Sequence, residues 1–151
     1  MEKTIHNDTI TVGELGVRFL VEAGDSNGSA SVFECYIPAN SRMPTPHSHD
    51  GFEETIYGLE GTTTWTIDDE TIDVGPGEAV CVRRGQIHGF QNHSDVHATF
   101  LAIATPAVFG PAYFREISDV LAASAGAPPD LAAIGAVMRR HGLTAAPPPA
   151  A

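Results

Sequence analysis

The chain has 151 residues, a size that buries about two-thirds of its unfolded surface and suits one domain. Hydrophobic residues make up 42% and mean hydropathy is near zero, as in ordinary soluble domains. Eight basic against 19 acidic residues give a net charge of −11, which repels phosphate backbones and anionic lipid, so neither nucleic acid nor a membrane is an expected partner. No apolar run reaches signal or transmembrane length, and the cytoplasm is the expected location.

Thr9–Val12 and Val17–Val21 are rich in β-branched and aromatic residues and read as strands. Gly24–Gly28 is a turn cluster, and a third strand runs from about Ala30 to Ile37. Pro38 to Pro46 carries three prolines and leads into His47-Ser48-His49. Asp50-Gly51 bends the chain. From Glu54 to Leu59 it is extended, with Glu54, Ile56 and Gly58 on one face and Thr55, Tyr57 and Leu59 on the other. Thr62–Ile67 alternates, Asp68-Asp69-Glu70 is a tight turn, and Thr71–Val74 completes a hairpin. Ala79–Val82 is a short apolar strand, followed by a turn and a strand carrying His88. Val96 to Ala104 is the last strand, centred on Phe100. Many short strands with turns between them argue for an all-β sandwich or barrel.

The character changes after Thr105-Pro106. Pro111 to about Ser124 places Phe114, Ile117 and Leu121 at helical spacing. Pro129 to His141 is a second helix, with Asp130 at its positive end, Arg139, Arg140 and His141 at its negative end, and Gly142 as cap. Its apolar face is Leu131, Ile134, Val137 and Met138. Residues 1–106 are thus the β domain, 107–143 a helical extension packed on it or on a second subunit, and 144–151, with three consecutive prolines, a disordered tail. Cys35 and Cys81, the only cysteines, lie in apolar strand-like runs and are expected as buried, reduced thiols.

His47 and His49 carry the first chemical signal. On an extended segment, residues two apart point the same way, roughly 7 Å apart at the backbone. That gap suits two ligands of one metal ion, and Glu53 and Glu54 follow at once with carboxylates. On spacing alone a solvated polar strand fits equally well.

The second stretch, Gly75 to Asn92, changes the balance. Together the two stretches resemble the paired motifs of the cupin family. In the first motif His47 and His49 match. Glu54 matches by four intervening residues from His49 and six before Gly61; Glu53 fits only the first of these gaps. In the second motif Gly77, Gly85, His88 and Asn92 fall in register. Ser41 stands where the first motif usually has glycine, and Arg83 where the second has proline, which puts local turn geometry in doubt. The resemblance covers about residues 30 to 105.

The resemblance implies a cupin jelly-roll β-barrel, here with one or two C-terminal α-helices. It implies one divalent ion (iron, manganese, nickel, copper, cobalt or zinc) on His47, His49, Glu54 and His88. Each histidine is expected to hand its second nitrogen to a carbonyl or carboxylate. Small cupins of this kind resemble quercetinase-like and acetylacetone-type dioxygenases, so the expected function is a metal-dependent dioxygenase acting on a small phenolic, flavonol-like or diketone substrate, with Glu54 as base. The alternatives are a redox-neutral isomerase, lyase or decarboxylase, and a non-catalytic small-ligand binder. Tyr36, Trp65, Phe90 and Phe100 are the expected pocket walls, with core packing as the plainer role for each. Glu53 is read as a solvated carboxylate, His93 and His97 as one outer strand face, and His6 and His141 as surface residues. Arg83 and Arg84 are expected to pair with surface acids. A homodimer is expected from the family's habit of pairing barrels.

Overall fold

Inward and outward residues alternate along almost every strand, and that alternation builds two facing sheets. The computed structural model describes residues 3–43 and 45–147. Pro44 and residues 148–151 of the expected tail lie outside the described residues. The strands are β1 (Thr9–Val12), β2 (Leu15–Val21), β3 (Ser31–Ile37), β4 (His47–His49), β5 (Glu53–Glu60), β6 (Thr63–Ile67), β7 (Glu70–Val74), β8 (Ala79–Val82), β9 (His88–Gln91) and β10 (Ala98–Thr105). Helices α1 (Pro111–Ala123) and α2 (Leu131–Arg140) follow, then a short strand β11 (Leu143–Ala145).

One sheet runs β1-β2-β3-β10-β5-β8 and the other β11-β4-β9-β6-β7, all pairs antiparallel. This is a jelly-roll barrel with C-terminal helices. Phe33, Cys35 and Ile37 of β3, Ile56 of β5, Trp65 of β6 and Phe100 of β10 meet between the sheets. Burying a side chain of this size contributes about 1.5–3 kcal/mol. Ala98, Ala102 and Ala104 on β10 are fully buried and leave room for these larger neighbours.

Helix α1 is held by aromatic packing. Phe114 lies 5.2 Å from Phe33 and 5.5 Å from Phe109, ring centre to ring centre. Helix α2 begins at Asp130, whose side chain accepts a hydrogen bond from the Ala133 amide at 3.0 Å, a side-chain cap. Arg140 and His141 both reach Glu116 and so tie α2 to α1. Ile134, Val137 and Met138 are buried, but Leu131 is exposed: at the first turn it points away from the barrel.

Four further expectations are corrected. Thr144 and Ala145 are not tail; with Leu143 they pair with β4, Leu143 opposite His49 and Ala145 opposite His47. Cys81 is exposed, because Val80 and Val82 take the inward phase of β8, while Cys35 is buried and free. His93 and His97 lie in the loop between β9 and β10, not on a strand. Tyr36 is 46% exposed and stacks on His97 outside the barrel, because Cys35 and Ile37 take the inward positions of β3.

Candidate metal centre

Three strands deliver the polar cluster. On β4, His47 and His49 share the inward face, and His47 sits directly opposite His88 of β9. Glu54 enters from β5, the inward neighbour of Ile56. The rings lie 5.2 Å (His47–His49), 4.8 Å (His47–His88) and 4.5 Å (His49–His88) apart, centre to centre. One nitrogen from each histidine lies within 4.8 Å of the others, so the three imidazoles could hold a metal ion. Glu54 Oε2 lies 3.7 Å from Nε2 of both His49 and His88. All four side chains are buried.

Second partners fix two of the rings. His47 Nδ1 lies 3.1 Å from the Thr45 carbonyl, and His88 Nδ1 lies 3.1 Å from the Gln86 carbonyl. Each Nδ1–H donates to its carbonyl, which leaves Nε2 as the lone-pair atom facing inward. His49 departs from the expectation. Neither of its nitrogens has a partner among the described residues; its ring is held instead by stacking on Phe52, at 4.2 Å and 15°.

Burial sets the charge state. Burial and the nearby His88 hold His47 at about 3 and His49 at about 2, and burial lowers His88 too. Burial alone pushes the Glu54 carboxyl up to about 8. At neutral pH the cluster is three neutral imidazoles beside a protonated carboxyl, so the 3.7 Å contacts are not ion pairs. Such a set has no internal countercharge and converges on one point, which suits a cation.

The supports are local. Arg84 donates twice to Glu53, at 2.7 and 2.6 Å, and the guanidinium holds that carboxyl below its ordinary range. Glu53 therefore points outward into an ion pair and away from the cluster. Asp68, in the β6–β7 turn, accepts from the Ile87 amide and from Gln86 Nε2, which fixes the approach to His88. Arg83 keeps an amide that donates to Gln86 Oε1, a bond that proline there would lack. Ser41 closes its own turn by donating from Oγ to the Pro38 carbonyl. Asn92 is a buried staple: its amide donates to the carbonyls of Ile37, Pro38 and Val96.

A cavity of about 70 Å³ adjoins the cluster. That is room for roughly five waters or a small planar ring. Trp65, Phe90 and Phe100 line it; Tyr36 does not. Sequence reasoning missed its other side, where Phe109, Tyr113, Phe114 and Ile117 meet Ile134 and Met138 of α2. The helices form part of the cavity wall. The only available signal was the apolar stripe of each helix, which does not say what it covers.

Comparison with known proteins follows the same geometry. A family model described as the cupin domain matches residues 33–104. Over 113 residues the chain is 27% identical to quercetin 2,3-dioxygenase of Bacillus subtilis (strain 168); the match covers 74% of this chain but only 32% of that protein, so the chain spans about a third of its length. The polyketide cyclase RemF from Streptomyces resistomycificus superposes with a TM-score of 0.60 at 30% identity, covering 77% of this chain and 92% of RemF. KdgF from Halomonas sp. superposes at 0.59 with 15% identity, over 66% of this chain and 86% of KdgF, a likeness of fold. Motif, barrel topology and these matches agree, and the chain belongs to the cupin superfamily.

Proposed function

We propose that His47, His49, His88 and Glu54 hold one divalent metal ion, and that the site deprotonates and orients a small phenolic or enolisable carbonyl compound. Glu54 carries this reading: it is a buried carboxyl 3.7 Å from two imidazole nitrogens, beside a cavity whose walls are mainly apolar. Three imidazoles and a carboxylate suit iron, manganese, nickel, copper, cobalt or zinc, and the unpartnered nitrogens of His49 fit a ligand role. Bound there, an ion supplies Lewis-acid charge that stabilises an oxyanion. The chain's own groups do the rest. Glu54 as carboxylate accepts a proton from a substrate carbon or hydroxyl. The Thr45 and Gln86 carbonyls hold two imidazoles in the tautomer that faces inward. Trp65, Phe90 and Phe100 offer flat walls for a planar ring and keep water out.

The redox-neutral form of this chemistry leads. It is supported by the likeness to a polyketide cyclase over most of that protein's length, because a polycarbonyl chain has acidic C–H groups suited to such a base. The likeness to a quercetin dioxygenase favours an oxygen-dependent second form. Metal-loaded protein incubated with phenols, flavonols, 1,3-diketones and a poly-β-ketone, under argon and under air, separates the two. Turnover under argon supports the first form. Turnover only in air, with one O₂ consumed per substrate, supports the second. No turnover in either atmosphere would remove the enzyme reading.

A proton count tests the ligand set. In the folded apo-protein Glu54 keeps its proton below about 8, while His47 and His49 have already lost theirs and burial holds His88 below its ordinary value. Coordination takes the carboxylate, so loading between about pH 6 and 7 is expected to release close to one proton per ion. Calorimetry in buffers of different ionisation enthalpy reads this directly. Glu54→Gln is expected to load with almost no release; a release unchanged in that variant would remove Glu54 from the ligand set.

A further inference from the structure

Nearly every polar group facing the cavity belongs to the histidine–glutamate cluster or its immediate support. Tyr113 does not. It lies on α1, outside the barrel and outside both histidine motifs, yet it lines the same cavity. It is 5% exposed, and its ring packs edge-on against Phe109 and His141, which fixes its direction. The helical side of the cavity is otherwise apolar. An unpartnered hydroxyl, Thr45 Oγ1, is buried in the same lining. A cavity with a cluster of metal-type ligands on one side and hydroxyl groups set apart from it is shaped for a ligand with oxygen in two places.

We infer that the Tyr113 hydroxyl donates a hydrogen bond to a second oxygen of the bound substrate and so selects which end of the molecule meets Glu54 and the histidines. The inference rests on the function proposed above and narrows it. The substrate class becomes a planar, largely apolar compound with at least two oxygen functions, such as a dihydroxyaryl or hydroxyaryl-ketone compound. Tyr113 stays a neutral donor, because burial pushes its phenol well above the ordinary range. Tyr113 then orients the ligand, while deprotonation stays with Glu54.

Binding of two probes to the metal-loaded protein tests this. 1-Naphthol has one oxygen, and the dihydroxynaphthalene isomers have two on the same ring system. Affinities are measured by calorimetry for the unmodified protein and for Tyr113→Phe, which keeps the ring and its packing. Metal content and Tm are measured alongside and are expected to match. The expected result is that Tyr113→Phe weakens at least one dihydroxynaphthalene by about tenfold and leaves 1-naphthol unchanged. A merely structural tyrosine would move both probes together or neither. Equal affinities in the two proteins for every probe would overturn the role of Tyr113 and leave the ligand set standing. If the unmodified, metal-loaded protein binds no probe at all, both this inference and the aromatic-substrate reading fall.

Discussion

His88→Ala is expected to purify with less than a tenth of the metal carried by the unmodified chain, read by elemental analysis of protein prepared without chelator. His88 is buried, and its ring is 4.8 Å from His47 and 4.5 Å from His49, so it completes the three-imidazole set. Loss of a group that merely orients a ligand typically costs 10- to 100-fold in metal affinity, and loss of the ligand itself exceeds about 100-fold. The fold is expected to survive, because the apo-cluster already crowds three buried imidazoles with no countercharge. His97→Ala is the control. His97 is 40% exposed and pairs with Glu60 on the outside, so its removal should leave the metal content alone. Equal metal in the His88 variant and the unmodified protein would place the ion elsewhere.

Gly58→Ala is expected to lower stability by about 3 kcal/mol or more, a fall in Tm of roughly 6–12 °C for a chain of this size. Gly58 sits on the inward face of β5, directly under the turn at Gly75–Glu78. A Cβ there would lie 2.0 Å from the Gly75 carbonyl oxygen and 2.6 Å from its carbon. Neither side can yield. The Gly58 amide donates to the Glu78 carbonyl at 2.9 Å, and the Gly77 amide donates to the Gly58 carbonyl at 3.0 Å, so turn and strand are clamped together. The comparison is Gly51→Ala, where a Cβ meets nothing within 4 Å and the backbone is not left-handed. Thermal unfolding that gave the two variants the same Tm would refute the clamp.

What the sequence made legible follows from how local each feature is. His47 and His49 were legible from their two-residue spacing on an extended segment, whereas Glu54 and His88 came from the resemblance to the paired cupin motifs; the structure brings the four side chains close together. The ends of α2 were legible within two residues because Asp130 and Gly142 are terminal signals in their own right, although α2 begins at Leu131 and leaves Pro129 outside it. Strand phase was harder. Val32, Phe33, Cys35, Tyr36 and Ile37 are apolar or aromatic on both faces, so alternation could not say that Cys35 goes in and Tyr36 out. Cys81 was misplaced for the same reason. Strand β11 carried no signal, since Leu-Thr-Ala gains its strand form only from the partner beside it. Tyr113 was legible as a helix residue but not as a cavity residue, because the docking of α1 is decided by packing on Phe33, far away in the chain.

Strand β11 also bears on the order in which the molecule assembles. The histidine strand β4 is three residues long and is paired with β9 only at His47–His88, whereas β11 pairs with all three of its residues. Those pairings join positions far apart in the chain; Thr144 reaches Asp50 across 94 residues. Contacts of such separation carry a high closure entropy and tend to form late. Two of the three imidazoles are thus expected to align only near the end of folding, so that an ion needing both meets a nearly native chain. Stopped-flow measurements are expected to show metal slowing unfolding while the refolding rate stays unchanged. Faster refolding with metal present would mean that the histidine strand is already organised in the folding nucleus.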